Sequence, residues 1–511
     1  MNKIVISVLM ALFLVISACD TDTINLDPIG DTEASFFQNE DQMQQAIFGV
    51  YQKVSFFYGF RGGQNNHLLP ITLLPSDDLT SPAAYAFENF TGLSGSSSQL
   101  TLYYQFAYQL IARANTVLEK IEENGEKIYQ SKPELLNYNK GEALFLRSLA
   151  YFNLWNVFGT APLITERITD INDAYPPNTT GTQLLDQAII DLKLASELLP
   201  ESWSAEYKGR LVKNSAFGLR GKCLVFRGTV NKTTTDFTEA IADFNSIKGV
   251  SLTSVYGENF SIEHENNEES LFEYQANDSP ANVNPFVGGA GGNDAFAVIG
   301  EIGHYLGMFS QLPTWIGNSY FSATESIQKA YDEGDPRKDY NINPDATNLI
   351  NVMKYLRNNR YANGGSSNGV SVNNPRILRY ADVLLLKAEA IVRSNGSLSE
   401  AIGLVNQIRE RARNSVEGAP SAIPVDRNTS ESNAQTVLEW IFQERRLELA
   451  FEEGHRWWDL RRRHIAGEID LKKLDFSSLL IDCKFSDYNV NFPLPSDEVV
   501  ENPNMDQNTG Y

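Results

Sequence analysis

Residues Glu444 to Arg463 read ERRLELAFEEGHRWWDLRRR, a charge-rich helical stretch that runs into Gly454, two adjacent tryptophans and a cluster of arginines. Trp440, Leu447 and Phe451 recur at helical spacing, and Glu444 falls among them on the same apolar stripe. A carboxylate on a stripe that faces a core must find a cation or give up its charge, because an unpaired buried ion costs several kcal/mol. The arginines that follow, Arg456, Arg461 or Arg462, are its expected counter-ions. Tryptophan suits such a junction, since the ring buries area while the indole N–H keeps a bond to give. Arginine over tryptophan can also cradle a sugar or a phosphate. A charge network at a helix end that locks two helices together accounts for the same residues, and the segment is read as a structural clamp.

A chain of 511 residues buries a large core without disulfide staples and forms two or three domains or one repeat-built body. A formal charge of −22 and a pI near 4.7 exclude nucleic acid, whose phosphates need a basic face, and leave neutral ligands open. The N-terminus is a processing signal. Lys3 precedes an apolar run from Ile4 to Ile16, too short to span a bilayer comfortably, and Ser17-Ala18-Cys19 follows it as a lipobox. Residues 1–18 are thus expected to be removed, Cys19 to be lipidated, and residues 19–30 to form a flexible tether to the membrane. Cys223 sits in an apolar helical pattern with Leu219 and Phe226, as a small core residue does, and no structural disulfide to Cys483 is expected.

The mature chain reads as mainly α. Glu40 to Val54 and Gln99 to Ile121 carry apolar residues at helical intervals, and GEALFLRSLAYFNLWNVF, Gly141 to Phe158, is apolar around most of its circumference and predicts a central helix. In GTQLLDQAIIDLKLASELLP, Ala188, Ala195 and Pro200 stand at the offsets of the small residues and terminating proline of a tetratricopeptide second helix. A second candidate pair joins Ala381–Val392 to Leu398–Ala412 through Asn395-Gly396, with Ala401 in the small-residue place. A third couples Asn214–Arg227 to Phe237–Ser246 through a longer loop, with Ala240 equivalent. Together they predict a tetratricopeptide-like helix-pair superhelix. An N-terminal helical region, 31–250, precedes a C-terminal region, 251–511, whose first part, 251–375, shows little helical periodicity, many Gly, Asn and Pro, and interleaved aromatics that favour order over disorder.

Catalytic patterns fail one by one. Asp77 and Asp78 are adjacent, so their side chains diverge where a glycosidase needs two carboxyls facing across a bond, and they read as turn or cap residues. His264-Glu265 lacks the second histidine of a zinc helix, and Glu301 with His304 gives one Glu-x-x-His where a di-iron site needs two. The glycine run VGGAGGN lacks the Gly-Lys-Ser/Thr of a phosphate loop. No metal and no cofactor is expected.

Six stretches in chain order, DTEASFFQNEDQMQQAIFGVYQ, LRSLAYFNLWNVFGTAPLI, GRLVKNSAFGLRGKCLVFRG, NPRILRYADVLLLKAEA, the segment from ERR to LRR, and FPLPSDEVVENPNMDQNTGY, together resemble landmarks of the SusD/RagB family of outer-membrane glycan-binding lipoproteins. The resemblance covers nearly all of the mature chain, with NPRILRY as this chain's version of a more variable motif. It implies a non-catalytic cell-surface lipoprotein of a starch-utilisation-type system, with Asp20 and Asp22 as an export signal. It also implies a partner, a SusC-like TonB-dependent β-barrel transporter over which the protein sits as a lid. In family members the ligand site lies in loops. Here those loops are TSPAAYAFENF, offering Tyr85, Phe87 and Asn89, and the irregular middle, offering Tyr305, Trp315 and Tyr320 with Asn318 as polar neighbour. Arg61, in the turn GFRGG, is a further polar candidate. Sugar would be held by stacking of its C–H faces on these rings and by hydrogen bonds to its hydroxyls. Two other readings stand beside this one: a peptide-binding lipoprotein of the same transporter type, and a surface glycoside hydrolase.

Overall fold

A computed structural model of the protein describes residues 32–511 apart from 34, 59–67, 82–84, 277–320, 344–351, 356–371 and 417. Helix α1 (Glu40–Tyr58) packs on α2 (Ser98–Ile128), α2 on α3 (Pro133–Phe158), α3 on α4 (Gln183–Leu198), and α4 on α5 (Lys213–Asn231). The series continues through α6 (Thr234–Ser246) to α7 (Tyr380–Arg393), which also contacts α8 (Leu398–Asn414) and α9 (Ala434–Glu448), while α10 (His455–Ile465) returns to α5. Each helix lying against its successor is the arrangement of a helix-pair superhelix.

The sequence signals act locally as physical chemistry requires. Every residue from Gly141 to Phe158 in α3 is buried, and the helix begins earlier, at Pro133, where a missing N–H costs nothing. Ala188 and Ala195 in α4, Ala240 in α6 and Ala401 in α8 are fully buried, as close helix packing demands. Gly221 of α5 serves the same end, because a Cβ there would lie 2.2 Å from the Phe244 ring of α6. The α5–α6 link is shorter than expected. Instead of a longer loop it is Lys232 and Thr233 alone, with Lys232 in the left-handed region at φ 54°.

The main core is continuous across residue 250. Phe145 of α3 meets Phe272, in the strand Ser270–Glu273, at 5.4 Å between ring centroids, and both belong to the same buried cluster. A smaller cluster lies among α7, α8 and α9, around Leu385, Ile402 and Ile441. Cys223 is wholly buried in the main core, which pushes its thiol up to about 12.

Within 251–375 the described residues hold more order than periodicity suggests. β1 (Leu79–Thr80) pairs antiparallel with β3 (Ser322–Ala323), and β2 (Ser270–Glu273) with β4 (Arg376–Arg379). Two short helices, Glu325–Ala330 and Pro336–Asn341, follow β3 and are capped by Thr324 and Asp335. No helix among the described residues is long and apolar enough to cross a membrane.

Candidate functional site: a loop rim on a buried ion network

Glu444 is fully buried and ionically paired, but not with the arginines that follow it. Its two oxygens accept from Arg337 and Arg409, each at 2.7 Å. The expected counter-ions are engaged elsewhere: Arg456 on Asp77, Arg462 on Glu389 and Asp459, and Arg461 on the Val490 carbonyl and the Asn491 side chain. The different pairing has a geometric cause. Those three arginines ride on α10, beyond the break at Gly454, where Arg456 faces Asp77, Arg462 faces α5 and α7, and Arg461 faces the C-terminal segment, whereas Glu444 faces α8 and the Pro336–Asn341 helix.

Around Glu444 five carboxylates, Glu269, Asp335, Glu444, Glu448 and Glu452, interleave with five cations, Arg337, Lys354, Arg379, Arg409 and Arg411. Arg379 joins three of them, reaching Glu269, Glu448 and Glu452 at 2.7 Å each. Burial works against ionisation of Glu448, but the guanidiniums of Arg411, Arg379 and Arg337 outweigh it and hold the carboxyl well below the usual carboxylate range. Burial pulls Lys354 down to about 8 despite Glu452 beside it. A second set links α9 to α7 and α10: Arg445 contacts Asp382 and Asp459, and Arg462 clasps Glu389, whose carboxyl its neighbours hold at about 2 against the cost of burial. These side chains are shut away from solvent and paired with each other. The segment is a clamp.

The clamp extends to Asp77 and Asp78, which are neither turn nor cap carboxylates. Both are buried; Arg456 binds Asp77 through two bonds of 2.8 and 3.0 Å, and Arg446 donates to Asp78 at 2.7 Å and lies 2.9 Å from Asp77. The backbone carbonyls of the pair accept from the Thr324 hydroxyl and N–H, at 2.5 and 2.9 Å. The two arginines of α9 and α10 therefore fix β1 and, through it, β3.

From that anchored pair the candidate loops emerge. Thr80 opposes Ser322, which sets Ser81 and Phe321, the described residues that flank the two candidate stretches, next to the same strand pair. Tyr85, half-buried, precedes the four-residue helix Ala86–Asn89 and meets Phe321 edge to face at 6.1 Å. Glu88 ties the loop down: its carboxylate accepts from the Thr80 hydroxyl at 2.5 Å and the Ser81 N–H at 3.0 Å, while burial pushes its pKa up to about 7. Phe87 belongs to the core, not to a ligand face. It is 3% exposed and packs on Phe492, because a four-residue helix turns position 87 inward when position 85 lies at the rim. Asn89 is half-buried; its side-chain oxygen accepts from the Thr91 N–H and its carbonyl from the Lys484 N–H. Arg61, Tyr305, Trp315, Asn318 and Tyr320 lie outside the described residues, as does Cys19.

Two features carry no sequence signal. A cavity of about 40 Å³ lies among Tyr58, Tyr103, Asn153, Arg376, Glu453 and Trp458, room for a few waters and not for a sugar ring. Burial pushes Glu453 up to about 8, and the Tyr58 hydroxyl donates to it at 3.3 Å. The Trp458 indole N–H, expected to keep a partner, has none among the described residues and lines this cavity. His464, Asp470 and Asp487 bring ligand-type atoms within 4.8 Å of one another, yet the arrangement suits an ion pair better than a metal. The Nδ1 of His464 accepts the Leu471 N–H, which leaves the proton on Nε2, 3.4 Å from Asp487, and Lys472 and Lys473 already neutralise the two aspartates.

Comparison with known proteins agrees with this architecture. A family model described as the SusD family matches residues 309–511, and one described as "starch-binding associating with outer membrane" matches 84–225. A SusD-like protein of Formosa agariphila is 26% identical over the full length of both chains, and a second from that organism is 28% identical over 82% of this chain and 81% of its own. Among solved structures, a SusD homolog from Bacteroides thetaiotaomicron superposes with a TM-score of 0.74 at 19% identity, over 94% of this chain and 99% of its own. Surface glycan-binding protein A from Bacteroides fluxus gives 0.72 at 21%, and a laminarin-binding SusD-like protein 0.71 at 24%, each over 93% of this chain and 100% of its own. With two models of one family on separate stretches, relatives aligned along most or all of their length and the shared helical fold, the chain belongs to the SusD/RagB family.

Proposed function

We propose that the protein binds a neutral oligosaccharide or polysaccharide at the outer-membrane surface and passes it, uncleaved, to a SusC-like TonB-dependent β-barrel transporter. Residues 1–18 are its signal peptide, lipidated Cys19 its anchor, and residues 19–30 the tether that lets the helical body sit over the barrel. The observation that carries the reading is the rim. Tyr85 and Phe321 stand together at the mouths of the two candidate loops, on a strand pair fixed by Arg446 and Arg456, where ring faces presented from the loops could stack on sugar. Family membership supports it, as do structural neighbours named as laminarin-binding and surface glycan-binding proteins. Tyr85, Asn89, Tyr305, Trp315, Asn318, Tyr320 and Arg61 are the proposed contacts, with stacking on Tyr85 and Trp315 contributing most.

Affinity electrophoresis through gels containing starch, laminarin, xylan, fructan or mannan tests the assignment. The wild type is expected to be retarded by at least one polysaccharide, and Tyr85→Ala and Trp315→Ala to weaken that retardation. Retardation unchanged in both variants removes the rim as the site. A protein that no polysaccharide retards but that binds peptide at micromolar affinity is a peptide carrier instead.

A further inference from the structure

A groove of about 410 Å³ runs between α2, the chain at 162–176 and the C-terminal helix Ser496–Glu501, and shares no residue with the rim. Its size falls within the ordinary range for small-ligand sites, roughly 300–1,000 Å³. Tyrosines stand on both sides. On α2, Tyr104 and Tyr108 lie 4.5 Å apart between ring centroids, and the Tyr108 hydroxyl donates to the Pro162 carbonyl at 2.6 Å, which fixes the ring. Opposite, Tyr175 is 39% exposed, on a loop whose carbonyls at Tyr175 and Pro176 accept from the Asn504 and Asn502 side-chain amides at 2.8 Å each. Both walls are thus pinned before any ligand arrives, so little ordering entropy is lost on binding.

The polar groups between the tyrosines select the ligand. Gln105 and Glu501 are exposed, and Glu498, half-buried, bonds Gln105. Burial raises the Glu498 carboxyl above its ordinary value, and the charges that bear on it, Glu501 and Asp497, are negative and add to the rise. An anion is repelled here, and an oily ligand would strand the carboxylates without water. A ligand with C–H faces for the tyrosines and hydroxyl donors for Gln105, Glu498 and Glu501 satisfies all of them. We infer that this groove is a second carbohydrate contact, which grips the same polysaccharide at a point away from the rim. The inference rests on the glycan-binding reading proposed above.

The test uses the full mature chain and the polysaccharide that retards the wild type most. Tyr175→Ala and Gln105→Ala alter exposed residues, and circular dichroism checks that each folds. Loss of one aromatic contact is worth roughly 0.5–1.5 kcal/mol, so the dissociation constant from gel retardation should rise about twofold to tenfold in Tyr175→Ala. It should rise further in the double variant, with no dependence on salt. Unchanged retardation in the double variant, beside a loss in Tyr85→Ala, overturns the groove and leaves the rim intact. If no polysaccharide retards the wild type, the glycan-binding reading fails and the groove falls with it. Salt-sensitive binding of a lysine-rich peptide, lost in Glu498→Gln, would make the groove a cationic-peptide site and also overturn the inference.

Discussion

Glu444→Gln is the sharpest perturbation of the clamp. In the folded chain one carboxylate oxygen takes Arg337 and the other Arg409, both at 2.7 Å, in a place without solvent. Glutamine keeps one acceptor and turns the other position into a donor that points at a guanidinium. Arg337 retains Asp335 and Glu448, but Arg409 is left with the Val425 carbonyl and with Asp332 at 3.3 Å, a largely exposed carboxylate. Stranding one member of a buried pair costs about 3–5 kcal/mol, and the partners left to Arg337 place this case toward the lower figure. Unfolding entropy near 2.1 cal/mol/K per residue gives roughly 1 kcal/mol/K over 511 residues, so the melting temperature should fall by about 3–5 °C if the chain melts as one unit. Scanning calorimetry reads this directly. Adding Arg409→Met removes the stranded cation, and the double variant should lose less than the sum of the two single variants. A melting temperature within about 1 °C of wild type for Glu444→Gln, or strict additivity, refutes the claim that the pair is coupled in a dry site.

Stability should depend on pH with an optimum below neutrality. Glu88 and Glu265, pushed up to about 7 by burial, and Glu453, pushed up to about 8, bring no penalty while protonated in both states, then a growing one as pH rises to about 8. Asp77 and Glu389, held at about 2 against burial by their arginines, stabilise above the unfolded carboxyl value and lose that contribution as pH falls toward 2. Buried His455, kept neutral, opposes the first group below its unfolded value but is outnumbered. The melting temperature should therefore peak near pH 5, at roughly the unfolded carboxyl pKa, and Glu453→Gln should flatten the alkaline limb; a maximum at pH 8 contradicts the assignment. Gly221→Ala places a Cβ 2.2 Å from the Phe244 ring and should cost about 1–3 kcal/mol in urea unfolding, whereas Gly403→Ala, in open space on α8, should be neutral or stabilising.

The helical body was legible because its signals are local. A stretch apolar around most of its circumference marks α3, Ala188, Ala195 and Pro200 at fixed offsets mark α4, and Ala401 in the small-residue place marks α8. The need of Glu444 for a cation was equally legible, but its partners were not. Arg337 and Arg409 lie 107 and 35 residues away, and periodicity within one helix says nothing about which distant arginine arrives. Asp77 and Asp78 look like turn residues for the same reason, since only the fold brings Arg446 and Arg456 to them. Strands of two residues, as in β1 and β3, are too short to show alternation, so the pairing that brings Tyr85 to Phe321 leaves no trace in the sequence. The α5–α6 link is shorter than the pattern predicts because Lys232 takes a left-handed conformation usually left to glycine or asparagine. At the rim, composition separated aromatics from the rest but could not tell half-buried Tyr85 from Phe87 beneath it.

The proposed function requires that the chain hold a glycan without cutting it. The direct measurement is calorimetric titration of the lipid-free mature protein with the polysaccharide that retards it, followed by a reducing-end assay on the recovered ligand. Saturable binding, weakened in Tyr85→Ala and Trp315→Ala, with no new reducing ends after prolonged incubation, is the predicted result. Release of reducing ends that disappears on changing a single Asp or Glu would contradict it and make the protein a hydrolase.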